Sequence, residues 1–182
     1  MLSRALLPLV VAAVAAVAAP LQLLFEAGQP PSWGINNYRI PSLVATSRGT
    51  LVAVAEARTT DKDCTHKWLA FRRSTDNGTS WGPITELYGR ALPQDQGFGN
   101  PVLVFDAVTS TIILHASVND PRACNPTRAT LQITDGGSDG VAWGAPTPLN
   151  PFLGPWAGAT PGPGAGLQVP PGAPHAGRLL NR

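Results

Sequence analysis

PSLVATSRGTLVAVAEA, residues 41–57, returns as PVLVFDAVTSTIILHAS, residues 101–117. Each copy is an apolar run, a tight polar turn, and a second run rich in β-branched and apolar residues. Runs of this kind, bounded by Gly, Ser, Thr and Asp, read as paired strands. The offset is about 60 residues, within reach of propeller-type repeats. The later halves match as well. LAFRRSTDNGTSWGPITEL starts at Leu69 and ATLQITDGGSDGVAWGAPTPL at Ala129. Cys64 and Cys124 fall at equivalent positions.

Working outward, each repeat offers four strands. The first copy places them near Ile40–Thr46, Thr50–Ala57, Lys67–Arg73 and Ile84–Tyr88. The second places them near Val102–Phe105, Thr111–Ser117, Arg128–Thr134 and Thr147–Leu149. Four short antiparallel strands per repeat is the pattern of a β-propeller blade. A plain β-sandwich is the alternative, but it does not need its second half to copy its first. A third copy begins with Gly166–Val169 and Gly177–Leu180. The expected fold is therefore all-β, with about two and a half blades. Propellers close with roughly 4 to 8 blades, so the chain reads as a piece of a longer protein.

Composition agrees. Gly and Pro number 19 each among 182 residues, concentrated in loops and in the last third. The net charge of +2 gives no electrostatic footprint for nucleic acid or an anionic membrane surface. Residues 1–19, MLSRALLPLVVAAVAAVAA, have a basic start, an apolar middle and small residues at the end. That is the build of a secretory signal peptide, with an uncleaved signal anchor as the alternative. Residues 20–182 then form a partial propeller domain in an oxidising lumen, with no membrane span after cleavage. There Cys64 and Cys124 either pair or stay as free thiols. Asn77-Gly78-Thr79 is a glycosylation sequon, whereas the proline excludes Asn125-Pro126-Thr127. No metal-ligand cluster stands out. Pro161–Gly166, PGPGAG, reads as a loop between blades, since no helix pattern follows it.

Ser74–Trp81, STDNGTSW, fits S-x-D-x-G-x-[ST]-W, the Asp box. Asp76 is placed to accept bonds from the turn's own amides, Gly78 to take the left-handed conformation, and Trp81 to plug the hairpin. The second copy keeps Asp135 and Trp143 but is stretched between them. Both aspartates read as structural.

Upstream lies YRIPSL, Tyr38–Leu43. Pro41 disfavours helix at Ile40 and puts Arg39 on extended chain. YRIP, RGTLVAVAEAR, the spacing from Asp63 to RRSTDNGTSW, GPGAGLQ and GRLL together resemble the sialidase (neuraminidase) family, its lysosomal type most. The likeness covers about residues 36–181. It implies a six-bladed propeller in the full-length protein and a retaining exo-α-sialidase that releases terminal sialic acid, with no cofactor. Substrates implied are sialylated glycans: sialoglycoproteins, gangliosides and oligosaccharides. Arg39 matches the first of three arginines that hold the sialic acid carboxylate. Arg58, in Glu56-Ala57-Arg58, matches the arginine near the ring's 4-hydroxyl. Its bland alternative is a surface ion pair with Glu56 or Asp61. Asp63 matches the acid/base aspartate, with Asp61 as the alternative. His66, on the same loop, reads as solvated. Asn100, the counterpart of Ile40, reads as a turn cap or a substrate contact. The family's tyrosine nucleophile and its glutamate come from later blades, and neither Tyr38 nor Tyr88 matches. Residues 20–182 alone are thus expected not to hydrolyse sialosides. The resemblance also implies a lysosomal or secreted location. A different reading of the same motifs is a non-catalytic Asp-box propeller that binds glycans or proteins.

Overall fold

A computed structural model describes residues 21–29, 33–93, 96–120, 127–155 and 159–180. Residues 1–19, read above as a signal peptide, lie outside them, as does Cys124. Among the described residues no helix is long and apolar enough to cross a membrane.

The first repeat forms a four-stranded antiparallel sheet in sequence order: β1 (Asn37–Ala45), β2 (Leu51–Arg58), β3 (Lys67–Ser74) and β4 (Thr85–Tyr88). The second repeats that order with β5 (Gly97–Asp106), β6 (Thr111–Asn119), β7 (Thr127–Thr134) and β8 (Thr147–Pro148). These are two propeller blades, set where the sequence repeat puts them. The third copy begins with β10 (Leu167–Gln168) paired to β11 (Leu179–Leu180), as expected.

The Pro161–Gly166 segment is more than a connecting loop. Its β9 (Gly164–Ala165) runs parallel to β5 and extends the second sheet. Gly166 donates its amide to the Leu103 carbonyl at 2.8 Å. A Cβ at Gly166 would stand 2.6 Å from Cβ of Val104, so only glycine lets the two backbones come this close.

The blades meet through a shared apolar layer. Val52, Val54 and Leu69 of the first pack with Leu103, Ile112, Leu114 and Ile133 of the second. Each such side chain contributes about 1.5–3 kcal/mol when fully buried. The far face of the first blade carries Ala57, Trp68, Ala70 and Ile84. Phe25, Trp33 and Ile35 from the stretch before β1 pack over it together with Tyr38 of β1.

Two details repeat with the blades. In β1, Ile40 and Pro41 face one residue of β2, and the register shifts by one between Arg39 and Ser42. In β5 the same shift falls between Gly99 and Val102, around Asn100 and Pro101. Ile40 and Asn100 share a φ of 52°. Left-handed backbone at a β-branched residue is costly, on the order of 1–3 kcal/mol. Matching bulges confirm Asn100 as the counterpart of Ile40.

The turns after β3 and β7 also behave as a pair. Asp76 accepts from the Ser80 amide at 2.9 Å and from the hydroxyls of Ser80 and Ser74 at 2.6 and 2.7 Å. Gly78 has a φ of 84°. These bonds, led by the Ser80 hydroxyl, hold the Asp76 carboxyl down at about 2. Asp135 accepts from the amides of Ile112, Gly137 and Gly140 at 2.8, 3.0 and 2.8 Å.

The extra residues of the second turn have a use of their own. They carry Asp139, at φ 59°, into the first blade. There its carboxylate accepts from Thr46 Oγ1 at 2.8 Å, Thr50 Oγ1 at 2.5 Å and Arg73 Nη2 at 2.8 Å. Arg73 Nε also donates to the Asp139 carbonyl at 2.6 Å. What looks like a degenerate box is an inter-blade clamp.

Candidate active site

One end of the first blade gathers charge. Arg39 comes from the N-terminal part of β1, ahead of the bulge. Glu56 and Arg58 end β2, two residues apart and therefore on one face of the strand. The loop 59–66 supplies Asp63, and β3 opens with Lys67. Gly99 and Asn100 approach from the second blade.

Sequence-predicted Arg39, Arg58 and Asp63 meet here. Arg58 Nη1 donates to Asp63 Oδ1 at 2.6 Å, and Arg39 Nη1 reaches the same oxygen at 3.5 Å. The Asp63 side chain is 64% exposed and that of Arg39 47%, so both are open to a ligand. Arg58 is buried. Asp61 is exposed, and it is Asp63 that both guanidiniums contact.

Arg58 is not in a surface pair. Its Nε and Nη2 donate to Glu56 Oε2 at 2.7 and 2.5 Å, with Glu56 fully buried. Burial alone works against the Arg58 charge. The hydrogen bond to Asp63 and the field of Glu56 outweigh it and raise the pKa above the usual guanidinium value. In return, Arg58's hydrogen bond and charge hold the Asp63 carboxyl below the usual range, and Arg39 and Lys67 add to the effect. Desolvation lowers the pKa of the Lys67 amine, against the pull of Glu56.

The acid loop is tied at several points. Lys67 Nζ donates to the Asp63 carbonyl at 3.3 Å and Arg58 Nη1 to the Lys62 carbonyl at 3.3 Å. The hydroxyls of Thr59 and Thr65 share a bond of 2.7 Å. Cys64, next to Asp63, is disulfide-bonded, so it is not a free thiol. Asn77 sits elsewhere, exposed in the turn after β3.

Two expectations change. His66 is not solvated: it is buried, faces the carbonyls of Gln96 at 3.1 Å and Arg90 at 3.4 Å, and leans on Trp68. The reason is that the segment after β4 offers the ring these two carbonyl partners, so the imidazole can be buried without losing its hydrogen-bond partners. Asn100 is more than a turn cap. Its amide donates to Glu56 Oε1 at 2.7 Å, which joins the blades, and its side chain donates to Ser117 Oγ at 2.9 Å within the second blade. Tyr38 packs on Phe25, with its phenol pKa raised by burial, and Tyr88 packs on Phe98. Sequence reasoning named Glu56 only as a surface partner for Arg58, whereas the pair is buried, and it passed over Lys67.

No family model matches the chain. Among curated proteins, a sialidase of Micromonospora viridifaciens is 31% identical over 97% of the chain and 32% of its own length. Human Sialidase-4 is 32% identical over 79% of the chain and 31% of its own length. An exo-alpha-sialidase of Aspergillus fumigatus is 30% identical over 76% of the chain and 40% of its own length.

The chain belongs to the sialidase family. This sialidase chain spans about a third of the length of the first two relatives. Solved structures agree on the fold. The Hadza microbial sialidase Hz136 superposes with a TM-score of 0.66 at 23% identity, covering 75% of this chain and 31% of its own. A leech intramolecular trans-sialidase, complexed with 2,7-anhydro-Neu5Ac, gives 0.67 at 17% identity, covering 91% and 42%. In this sialidase chain the charged end of the first blade is thus set on a sialidase β-propeller scaffold.

Proposed function

We propose that this chain supplies one side of the active site of a retaining exo-α-sialidase. The observation that carries the reading is the Asp63 carboxylate, open to solvent and bracketed by Arg39 and Arg58 at 3.5 and 2.6 Å. Arg39 is the anchor for the sialic acid carboxylate, since a permanent anion suits a guanidinium fork. Arg58 reaches toward the ring. Asp63 protonates the leaving oxygen and later takes a proton from water.

The resting pair poses a chemical condition. An acid must hold its proton, yet the arginines favour the Asp63 carboxylate. A sialoside brings its own carboxylate and competes for Arg39. Each arginine contact drawn away from Asp63 raises its proton affinity. Substrate binding thereby arms the acid.

Substrates under this reading are terminal sialic acids on glycoproteins, gangliosides and oligosaccharides. Residues 1–19 act as a cleaved signal, Asn77 carries N-glycan, and the protein travels the secretory pathway to a lysosome or out of the cell. Turnover of a fluorogenic sialoside by the full protein tests the enzyme. Activity should be lost in Asp63→Asn with sialic acid binding retained, and binding should weaken in Arg39→Ala. Binding without turnover in the unsubstituted protein would instead favour the non-catalytic glycan-binding propeller. Loss of mass on treatment with peptide N-glycosidase, absent in Asn77→Gln, tests the sequon.

A further inference from the structure

We infer that Glu56 is a positioning residue: its buried carboxylate aims Arg58 at Asp63 and locks that aim to the second blade. In its activity arm this inference rests on the sialidase reading.

The geometry is specific to a carboxylate. Oε2 takes the Nε and Nη2 of Arg58 at 2.7 and 2.5 Å. Oε1 takes the Asn100 amide at 2.7 Å, across 44 residues of sequence. Both oxygens are committed, each to a different element. With one edge of the guanidinium held by Glu56, its remaining corner, Nη1, is turned to the loop 59–66. That corner is the one bonded to Asp63 and to the Lys62 carbonyl. A swing of Arg58 away from Asp63 would strip Glu56 Oε2 of its ion pair and leave only the Asn100 amide on Oε1, and a buried carboxylate robbed of its counter-charge is costly.

The second blade is shaped to allow this. A Cβ at Gly99 would stand 2.6 Å from Glu56 Oε1 and 3.3 Å from Lys67 Nζ. A bare glycine backbone there brings the Asn100 amide within bonding distance. Lys67 lies over the same spot and holds the Asp63 carbonyl. The distance from Arg58 to the reacting acid is therefore set by contacts that never touch substrate.

Glu56→Gln separates the possibilities, because an amide keeps the shape but has one acceptor oxygen where two are needed. In the full protein, the Asp63 side-chain carboxyl is titrated by carbon NMR and sialoside turnover is measured. Loss of aim should move the Asp63 pKa up, toward the ordinary range, even though a neighbouring negative charge has been removed. Removal of that charge with Arg58 still in place would move it further down. An upward shift supports the inference, and no shift or a downward one overturns it. kcat/KM should fall about 100-fold, the scale of a misplaced catalytic contact. If the unsubstituted protein turns over no sialoside, the sialidase reading fails, and the titration alone decides the role of Glu56. If Glu56→Gln does not fold, proton exchange at the Arg58 Nε in the unsubstituted protein decides. It should stay slow after acid has protonated Asp63, and exchange as fast as at Arg39 would overturn the inference.

Discussion

Replacing Asp139 by alanine should loosen the two blades from each other. The side chain receives Thr46, Thr50 and Arg73. Bonds to a charged acceptor contribute about 1.5–3 kcal/mol each at best. Two corrections shrink the sum. The Asp139 and Arg73 side chains are 13% and 26% exposed, so water replaces part of what is lost. Arg73 also keeps its bond to the Asp139 carbonyl. A net loss of about 2–3 kcal/mol is expected, or a fall in Tm of roughly 4–12 °C at about 2–4 °C per kcal/mol. The pH dependence gives a second check. Burial pushes the Asp139 carboxyl up, but Thr50, Thr46 and Arg73 outweigh it and leave the pKa lowered. A lowered folded pKa means stability that stands above the unfolded value of about 3.9 and is lost as pH falls through the folded one. The gap between the two proteins should thus be widest near neutrality and narrow in acid. Thermal unfolding followed by circular dichroism at pH 7 and near pH 2 measures both. A Tm within 1 °C of the parent at pH 7 (about 0.5 kcal/mol or less), or a gap of constant size, would refute the clamp.

Arg39→Ala should weaken binding of free sialic acid about 30-fold, from loss of a charge-assisted contact of about 2 kcal/mol; calorimetry reads it, and unchanged affinity would place the anchor elsewhere. The Asp76 side chain should titrate at about 2 by carbon NMR; an ordinary value near 4 would mean its bonds to Ser74 and Ser80 do not form in solution. Gly99→Ala should destabilise by about 1–3 kcal/mol through overpacking against Glu56 and Lys67. Urea unfolding checks this, and a neutral result would mean that β5 can retreat without cost.

The blades were legible because their signals are local. Alternation, β-branched runs and turn residues are properties of neighbours in sequence, and the repeat doubled each of them. Arg39, Arg58 and Asp63 were reachable through motifs that lie on adjoining strands and one loop. Glu56 was visible as a carboxylate beside an arginine, but its second oxygen is spent on Asn100, and no local pattern reports a bond across blades. Asp139 failed for the same reason: its partners lie 66 to 93 residues away. The three extra residues of its turn therefore looked like decay. His66 was misread because a polar loop usually faces water, whereas the segment after β4 offers this histidine two carbonyl partners and lets it be buried. Gly164–Ala165 carries too few side chains to announce a strand.

The paired bulges at Ile40-Pro41 and Asn100-Pro101 split each innermost strand into two short segments. Because side chains alternate along a strand, a shift of one residue cancels the link between what the N-terminal segment displays and what the C-terminal segment buries. Chemistry at the mouth can then drift without re-registering the packed interior. Exchanging the half-exposed Arg39 is then a local edit, provided Tyr38 stays to pack over the first blade, and such variants can be screened for new ligand preferences.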